Sequence, residues 1–281
     1  MDSPTETTPA RVTGDEMKTP AGARRPGVWS GLGTVALYFL LQFGLSILAG
    51  FALGFVLALK TGFVAGLHRQ RPDMQAIAQM IRTNPDVPII ITVVTIAAAA
   101  AIMAVLVRRS WPGQWPQAEL PGFGFAPPAN KLAYPGAIIV GFIVLLLGGA
   151  ITHLLAGHHP VHQDVAVMAG KVSLDMRILL ALLVIGVAPF VEELVFRGVL
   201  LSGLASRMRI GWAMLVSAIV FGCVHLPDFK FAWYPVPALV LLGLVLAWLR
   251  VRTRSLWPSI TLHAANNFFA VLAWFLVTKP H

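Results

Sequence analysis

The sequence predicts an all-α protein, a polytopic bundle of seven to eight transmembrane helices. Hydrophobic residues make up 57% of its 281 residues, charged residues make up only 12%, and the mean hydropathy is +0.76. Soluble domains carry about 25% charged residues, so this composition is typical of a membrane protein. Several apolar runs reach the ~18 residues that indicate a membrane span, and backbone groups in lipid are satisfied only in helices or closed barrels.

The chain divides into a short polar tail and one membrane domain. Residues 1–27 are rich in Thr, Pro and charge, and we expect them to form a disordered cytoplasmic tail. Residues 28–281 form the membrane domain, with a candidate catalytic core at about residues 178–270. The predicted spans are residues 28–59, 87–107, 137–156, 178–204, 210–226, 236–248 and 256–277. We expect Pro189 to kink the fourth segment. If this segment or the long first segment is split in two, the number of spans is eight.

Basic residues between the apolar runs account for the net charge of +9. Lys and Arg in such positions contact lipid headgroups and set the orientation, because cytoplasmic loops are richer in them, so we expect no nucleic-acid partner. Clusters at 108–109, 207–209 and 250–254 predict a cytoplasmic N-terminus. Four basic residues within 60–86 favour the opposite orientation, and residues 75–81 of that stretch are a candidate interfacial helix.

A loop with three histidines and an aspartate has the composition of a metal cluster. It contains His158, His159, His162 and Asp164. Pro160 interrupts the group, however, and no second set of ligands in the sequence has zinc-like spacing. We therefore expect a polar surface loop at this position.

Two adjacent glutamates, Glu192 and Glu193, lie inside the fourth apolar span. A charged residue at the centre of a bilayer costs about 2.5–3.5 kcal/mol on insertion scales, so such a residue indicates a functional site. Arg197 lies four positions after Glu193, so these two side chains share a helix face and can form an ion pair. Glu192 is rotated by about 100° from Glu193 and has no local partner. An ion pair that only fixes helix packing is the alternative explanation.

Further polar side chains lie in two later spans. His263 and Asn267 are four positions apart and project from one face of the last span. Phe221 and His225 share a face of the fifth span in the same way, whereas Cys223 is two positions from His225 and points away from it. A single membrane His or Asn more often hydrogen-bonds a neighbouring helix than performs chemistry, so a structural role is the alternative for the whole set.

Together these groups suit hydrolysis by an activated water molecule. A carboxylate in a water-poor site can act as a general base, and a neighbouring His can share the proton. A His and an Asn on a facing helix can donate hydrogen bonds to the oxyanion that develops on a carbonyl group. No nucleophilic Ser or Cys accompanies them, which favours water as the attacking group.

The order and spacing of these residues resemble the motifs of the CPBP family. The motifs read Glu192-Glu193-x-x-x-Arg197, then Phe221-x-x-x-His225, then His263-x-x-x-Asn267. This family contains the CAAX proteases and the bacteriocin-processing (Abi) enzymes, including the Ras-converting CaaX endoprotease of eukaryotes. The resemblance covers about residues 178–270, and all three motifs occur in order on separate apolar segments.

The resemblance implies an intramembrane endopeptidase whose site faces a cavity open to the cytosol. It implies that Glu192 and His225 activate water, that His263 and Asn267 form the oxyanion hole, and that Glu193 and Arg197 support the site. The family is also described as metalloproteases. We favour a site without a cofactor, since the sequence has no His-Glu-x-x-His motif. Zinc held by Glu192, His225 and His263 is the alternative.

Two non-enzymatic functions compete with proteolysis. The first is a membrane scaffold or bacteriocin-immunity protein that keeps the fold without cleavage. The second is a proton-coupled transporter that uses the Glu and His residues as a relay, although the sequence has no inverted repeat to favour it.

The sequence identifies the substrate and the location only by class. We expect a peptide or membrane-protein substrate in a lipid bilayer, and the family suggests a lipidated, CaaX-like one. The residue usage and short loops suggest a bacterial inner membrane. The sequence predicts no oligomeric state.

Overall fold

The fold was analysed in a computed structural model, which describes residues 24–68, 73–161 and 163–277. The predicted tail at residues 1–27 falls almost entirely outside the described residues. The described chain is helical and contains no strand. The helices are α1 (Val28–Leu67), α2 (Met74–Thr83), α3 (Asp86–Ser110), α4 (Ala133–Ala156), α5 (Asp164–Ala169), α6 (Leu174–Ala205), α7 (Ile210–Val224), α8 (Val236–Thr253) and α9 (Trp257–Val277).

The predicted helical membrane bundle is confirmed. Within the described residues, six helices are long and apolar enough to cross a membrane, and the shorter apolar helix α7 is a seventh candidate. Each predicted span coincides with one of these helices. The predicted bounds were short at α1, which continues to Leu67, and at α8, which continues to Thr253. Basic and small residues in the last turns of both helices suggested loops from the sequence. In the structure these turns are helical, and α1 is 40 residues long.

The loop with the histidines was only partly predicted. His158 and His159 are exposed, as expected, but Asp164 starts the short helix α5. His162 lies outside the described residues. A six-residue helix such as α5 is shorter than the repeat that reveals an amphipathic pattern, so periodicity could not indicate it.

Helix α6 lies at the centre of the bundle, and the other helices pack around it. Helix α4 packs on α8 and α9, α7 packs on α8, and α1 packs on α3 and on the second half of α6. The middle of α6 is apolar and fully buried, at Val191, Leu194, Val195, Phe196 and Val199. This central position explains why polar side chains on α6 contact partners from several helices.

The connections 111–132, 206–209 and 254–256 lie together at what we call the basic end. The N-terminus of α1 lies there too, because Gln114 donates a hydrogen bond of 3.3 Å to the Arg24 carbonyl. Arg250 is buried and donates to the carbonyls of Ala118 and Gly122, at 2.9 and 2.6 Å. These bonds satisfy a cation that has left water, and they hold the connection 111–132 against the α8–α9 turn.

Helix α4 approaches α9 very closely at Gly141. A Cβ atom at this position would lie 2.8 Å from the Leu262 carbonyl oxygen, which is backbone and cannot move aside. Small residues allow such close approach between membrane helices, where packing and hydrogen bonds drive association. The contact fixes α9 next to His263.

We expect Gly141→Ala to destabilise the fold, because overpacking costs about 1–3 kcal/mol. The matched control is Gly136→Ala on the same helix, where an added Cβ meets nothing within 4 Å. This control should be neutral or stabilising by up to about 1 kcal/mol, since Ala is the better helix former. Thermal unfolding of the purified variants in detergent measures both effects. Equal unfolding temperatures for the two variants would contradict the close α4–α9 contact.

Candidate active site

Helix α6 is locally widened on both sides of the glutamates. Residues Leu183–Val187 and Leu194–Leu200 are π-helical, with the regular turn Ala188–Glu193 between them. The sequence predicted a kink at Pro189, and the proline lies two residues after the first π segment, in the first positions of the regular turn. Single π turns occur mostly inside α-helices and often at functional sites. Here they rotate the two glutamates relative to the rest of the helix.

Pro189 also explains the position of Asn267. In the first π segment the Ala188 N–H donates to the Leu183 carbonyl, so the next bond of this pattern would join residue 189 to the Val184 carbonyl. Pro189 has no N–H to give. The Asn267 side-chain amide donates to the Val184 carbonyl instead, at 2.9 Å. Asn267 is therefore oriented by a backbone acceptor that the proline leaves available.

Glu193 and Arg197 form a fully buried ion pair. The guanidinium Nη1 lies 2.8 Å from Glu193 Oε1, and both side chains are 0% exposed. Arg197 also donates to the Gly243 carbonyl of α8 at 3.1 Å and lies 4.4 Å above the Phe221 ring of α7. These contacts compensate the buried cation through a carboxylate, a carbonyl and a ring face. The predicted i,i+4 pairing of these two residues is present in the structure.

Glu192 points away from this ion pair and faces two histidines. Its Oε2 lies 3.8 Å from His263 Nε2 and 3.9 Å from His225 Nε2. The side chains of Glu192, His225 and His263 are 17%, 19% and 4% exposed. The structure thus brings together the acid and both histidines from three helices, and it separates the roles of the adjacent glutamates.

The hydrogen bonds of the two rings determine which nitrogen faces Glu192. His225 Nδ1 lies 2.6 Å from the Phe221 carbonyl, which only accepts, so Nδ1 carries a proton. His263 Nδ1 lies 3.0 Å from Glu193 Oε1, which is already paired with Arg197 and also accepts. In both rings Nε2 is therefore the nitrogen that remains for chemistry. A neutral ring offers a lone pair at Nε2, and only a doubly protonated ring donates there.

The side chains of Glu192, His225 and His263 line one cavity of about 480 Å³. Its walls are mainly apolar, with contributions from all the helices defined above except α2. Asn267 and the neighbouring Asn266 also reach it. A cavity of this size accommodates several residues of an extended peptide next to the polar groups.

Four polar side chains of this cavity were not predicted from the sequence: Gln42 of α1, Thr152 of α4, and Gln163 and Asp228 of the connections. Gln42 and Thr152 are uncharged polar residues within apolar runs, which is the kind of signal that drew attention to Asn267. All four lie outside the three motifs, so the motif pattern did not indicate them. The Phe221 ring was noticed only as part of a motif, whereas it packs against Arg197.

The structure identifies no ligand set for the alternative zinc site among the described residues. Within the ranges that the structure describes, no group of three or more His, Cys, Asp or Glu side chains is arranged to hold a metal ion.

Comparison with known families identifies this part of the chain. Residues 174–269 match the family model described as type II CAAX prenyl endopeptidase Rce1-like. The chain contains an Rce1-like domain. This match confirms the resemblance to the CPBP family. The matched segment of the chain contains Glu192, both histidines and Asn267.

One curated relative supports the same assignment. The chain is 30% identical over 86 residues to a Bacillus subtilis (strain 168) protein named "Putative membrane peptidase YdiL". The match covers 31% of this chain and 33% of the relative, so the chain spans about a third of that protein's length. No solved structure matches the chain significantly.

Arg197→Met should be strongly destabilising, since it leaves the Glu193 carboxylate buried without its cation. Breaking a buried pair from one side costs about 3–5 kcal/mol. The matched control is Arg254→Met, which removes an ion pair with Glu119 whose side chains are 68% and 72% exposed. Surface pairs contribute about 0–1 kcal/mol, so this control should unfold near the wild-type temperature. A stable Arg197→Met protein would show that Glu193 does not need the ion pair.

Pro189→Ala and Asn267→Ala should not be additive in their effects on stability. Asn267→Ala alone leaves the Val184 carbonyl without a donor, which costs about 1–3 kcal/mol. In the double variant, the alanine introduced in place of the proline supplies a backbone N–H for this carbonyl, so part of the loss should return. Thermal unfolding of the wild type, both single variants and the double variant gives the coupling. Strictly additive losses would contradict the link between Pro189 and Asn267.

Proposed function

We propose that the chain is an intramembrane endopeptidase that uses Glu192 to activate water. The observation that supports this most is the position of the Glu192 carboxylate. It lies in a mainly apolar cavity, is not paired with Arg197, and faces the Nε2 atoms of two histidines at 3.8 and 3.9 Å. A membrane carboxylate that served packing alone would be paired as Glu193 is.

The distances favour one water molecule between Glu192 and His225. The 3.9 Å between Glu192 Oε2 and His225 Nε2 is too long for a direct hydrogen bond. A water molecule between them can donate one proton toward each acceptor, which leaves an oxygen lone pair for the carbonyl carbon of a substrate. Glu192 takes a proton as the new C–O bond forms and returns it to the amine as the C–N bond breaks.

His263 and Asn267 are positioned to stabilise the oxyanion. Asn267 uses one amide hydrogen for the Val184 carbonyl and has a second to offer. His263 donates from Nε2 only when both ring nitrogens carry protons, because Nδ1 already faces Glu193. Donors fixed in a water-poor cavity are worth about 2.7–4 kcal/mol each in acyl transfer. Glu193 and Arg197 act through His263 by holding its ring.

We further propose that the reaction needs no metal and that the substrate is a membrane-associated polypeptide. A CaaX-like lipidated substrate is the choice that the family description favours. The non-catalytic alternatives are a scaffold or an immunity protein, followed by a transporter. All of these predict that no peptide bond is cleaved in a Glu192-dependent way.

The experiment compares new protein termini in cells that express the wild type or Glu192→Gln at equal levels. We expect cleavage products that appear only with the wild type, since Gln cannot accept the proton from water. General acid–base contributions are worth about 10²–10⁴-fold, so the variant should lose at least about 100-fold in rate. The control is Glu119→Gln at the exposed ion pair of the basic end, which should cleave like the wild type.

Two outcomes would overturn the proposal. Identical termini with folded wild type and Glu192→Gln would favour the scaffold or immunity function. Loss of cleavage by the purified enzyme on treatment with a chelator, with recovery on zinc, would replace the metal-free mechanism. Retained cleavage in chelator supports activation by Glu192 and His225 alone.

A further inference from the structure

Three polar residues of α9 line the active-site cavity: His263, Asn266 and Asn267. Successive residues of a helix are rotated by about 100°, so Asn266 lies about 60° to one side of His263 and Asn267 about 40° to the other. All three side chains therefore lie on one face of α9. The proposed mechanism uses His263 and Asn267 as oxyanion donors and gives no role to Asn266.

A short chain of hydrogen bonds determines how the two neighbouring carboxamides are oriented. The Val184 carbonyl only accepts, so the Asn267 atom that lies 2.9 Å from it is the amide nitrogen Nδ2. Asn267 Oδ1 also only accepts, so the Asn266 atom that lies 3.3 Å from it is likewise Nδ2. The side-chain oxygen is therefore the end of the Asn266 carboxamide that is left for another contact.

Asn266 Oδ1 is an acceptor without a hydrogen-bond partner in the described part of the chain. The side chain is half-buried and borders the mainly apolar cavity. A polar atom in such a place is costly to leave unpaired, because it has lost part of its contact with water. This oxygen is therefore available to a donor that a substrate brings into the cavity.

The backbone of α9 is held at Asn266 by its close contact with α4. A Cβ atom added at Gly141 would lie 3.3 Å from the Asn266 backbone nitrogen, and 2.8 Å from the Leu262 carbonyl oxygen. Helices that approach each other this closely have little freedom to shift without a clash. Asn266 is therefore positioned through its backbone by α4 and through its amide group by Asn267 before any substrate binds.

An extended peptide presents the groups that match these two carboxamides. In a β-strand, the N–H and the C=O of one residue point to the same edge, which is why a residue of an antiparallel pair exchanges both bonds with one partner. A substrate residue whose carbonyl faces the Asn267 amide therefore turns its own N–H toward the same wall of the cavity. Asn266 Oδ1 lies on that wall.

We propose that Asn266 is a substrate-binding residue whose Oδ1 accepts the backbone N–H of the residue that contributes the scissile carbonyl. The inference rests on the proposed function, because it takes Asn267 as an oxyanion donor. The contact fixes the direction of the scissile carbonyl against Asn267. It reads only the peptide backbone, so it selects an extended conformation at the cleavage site. It also excludes proline directly before the scissile bond, since proline has no N–H.

A substrate with an ester in place of one amide tests this contact. A peptide that spans a wild-type cleavage site is synthesised with either an N–H or an ester oxygen in the residue before the scissile bond, which itself stays an amide. The wild type should cleave the ester form with a kcat/KM about 5–100-fold lower, because Asn266 Oδ1 is then left without a donor. Asn266→Ala has no such acceptor to leave unpaired, so it should cleave both forms at similar rates.

The matched control is Asn130→Ala, which truncates an exposed asparagine that accepts only from the Leu132 N–H of a connection. This variant should keep the wild-type preference for the amide substrate. The comparison of the two substrates with the wild type needs no substitution, so it tests the contact even if Asn266→Ala unfolds in detergent.

Three results would overturn the inference, and they have different consequences for the proposed function. Equal cleavage of both substrates by the wild type, lost in Glu192→Gln, would remove the Asn266 contact and leave proteolysis supported. The same amide preference in the wild type and in folded Asn266→Ala would show that Asn266 only holds Asn267. Cleavage of neither substrate by the purified wild type would refute the proposed function and, with it, this inference.

Discussion

The buried ion pair between Glu193 and Arg197 is the interaction on which the site depends. Both side chains are fully withdrawn from solvent, so each needs the other to compensate for the lost hydration. Arg197 reaches the Gly243 carbonyl of α8, and Glu193 reaches His263 of α9. One pair of charges on α6 thereby fixes the positions of two further helices, and its geometry determines which nitrogen of His263 faces the cavity.

Two adjacent glutamates have opposite environments because a helix rotates by about 100° per residue. Glu193 turns into the centre of the bundle, where its charge is neutralised. Glu192 turns into the cavity, where its side chain keeps 17% of its exposure and no Lys or Arg of the described residues forms an ion pair with it. The division of roles follows from this rotation, so exchanging the two functions would require a shift of the whole helix.

Much of this arrangement could be predicted from spacing within single helices. Residues four apart share a face, which predicted the pairing of Glu193 with Arg197 and the grouping of His263 with Asn267. Long apolar runs predicted the membrane bundle, and the ordered motifs predicted the family. These inferences depend on local geometry, which a sequence shows directly.

Contacts between helices could not be predicted in the same way. The bond between His263 and Glu193 joins residues 70 positions apart, and the bond from Asn267 to Val184 depends on a π segment that Pro189 adjoins. The cavity wall at Val224, His225 and Pro227 depends on where the short helix α7 ends, at Val224, and on how the following connection packs. Helix ends and long-range packing are set by the tertiary structure, so these contacts could be identified only in the fold.

Oxygen labelling of a single turnover would test the central claim, that Glu192 activates water, most directly. A peptide substrate identified from the wild-type cleavage sites would be hydrolysed in H₂¹⁸O with enzyme in excess. Direct attack by water predicts one ¹⁸O atom in the new carboxyl terminus of the first product. Unlabelled product together with ¹⁸O in the Glu192 side chain would show a covalent acyl-enzyme instead and would contradict the account.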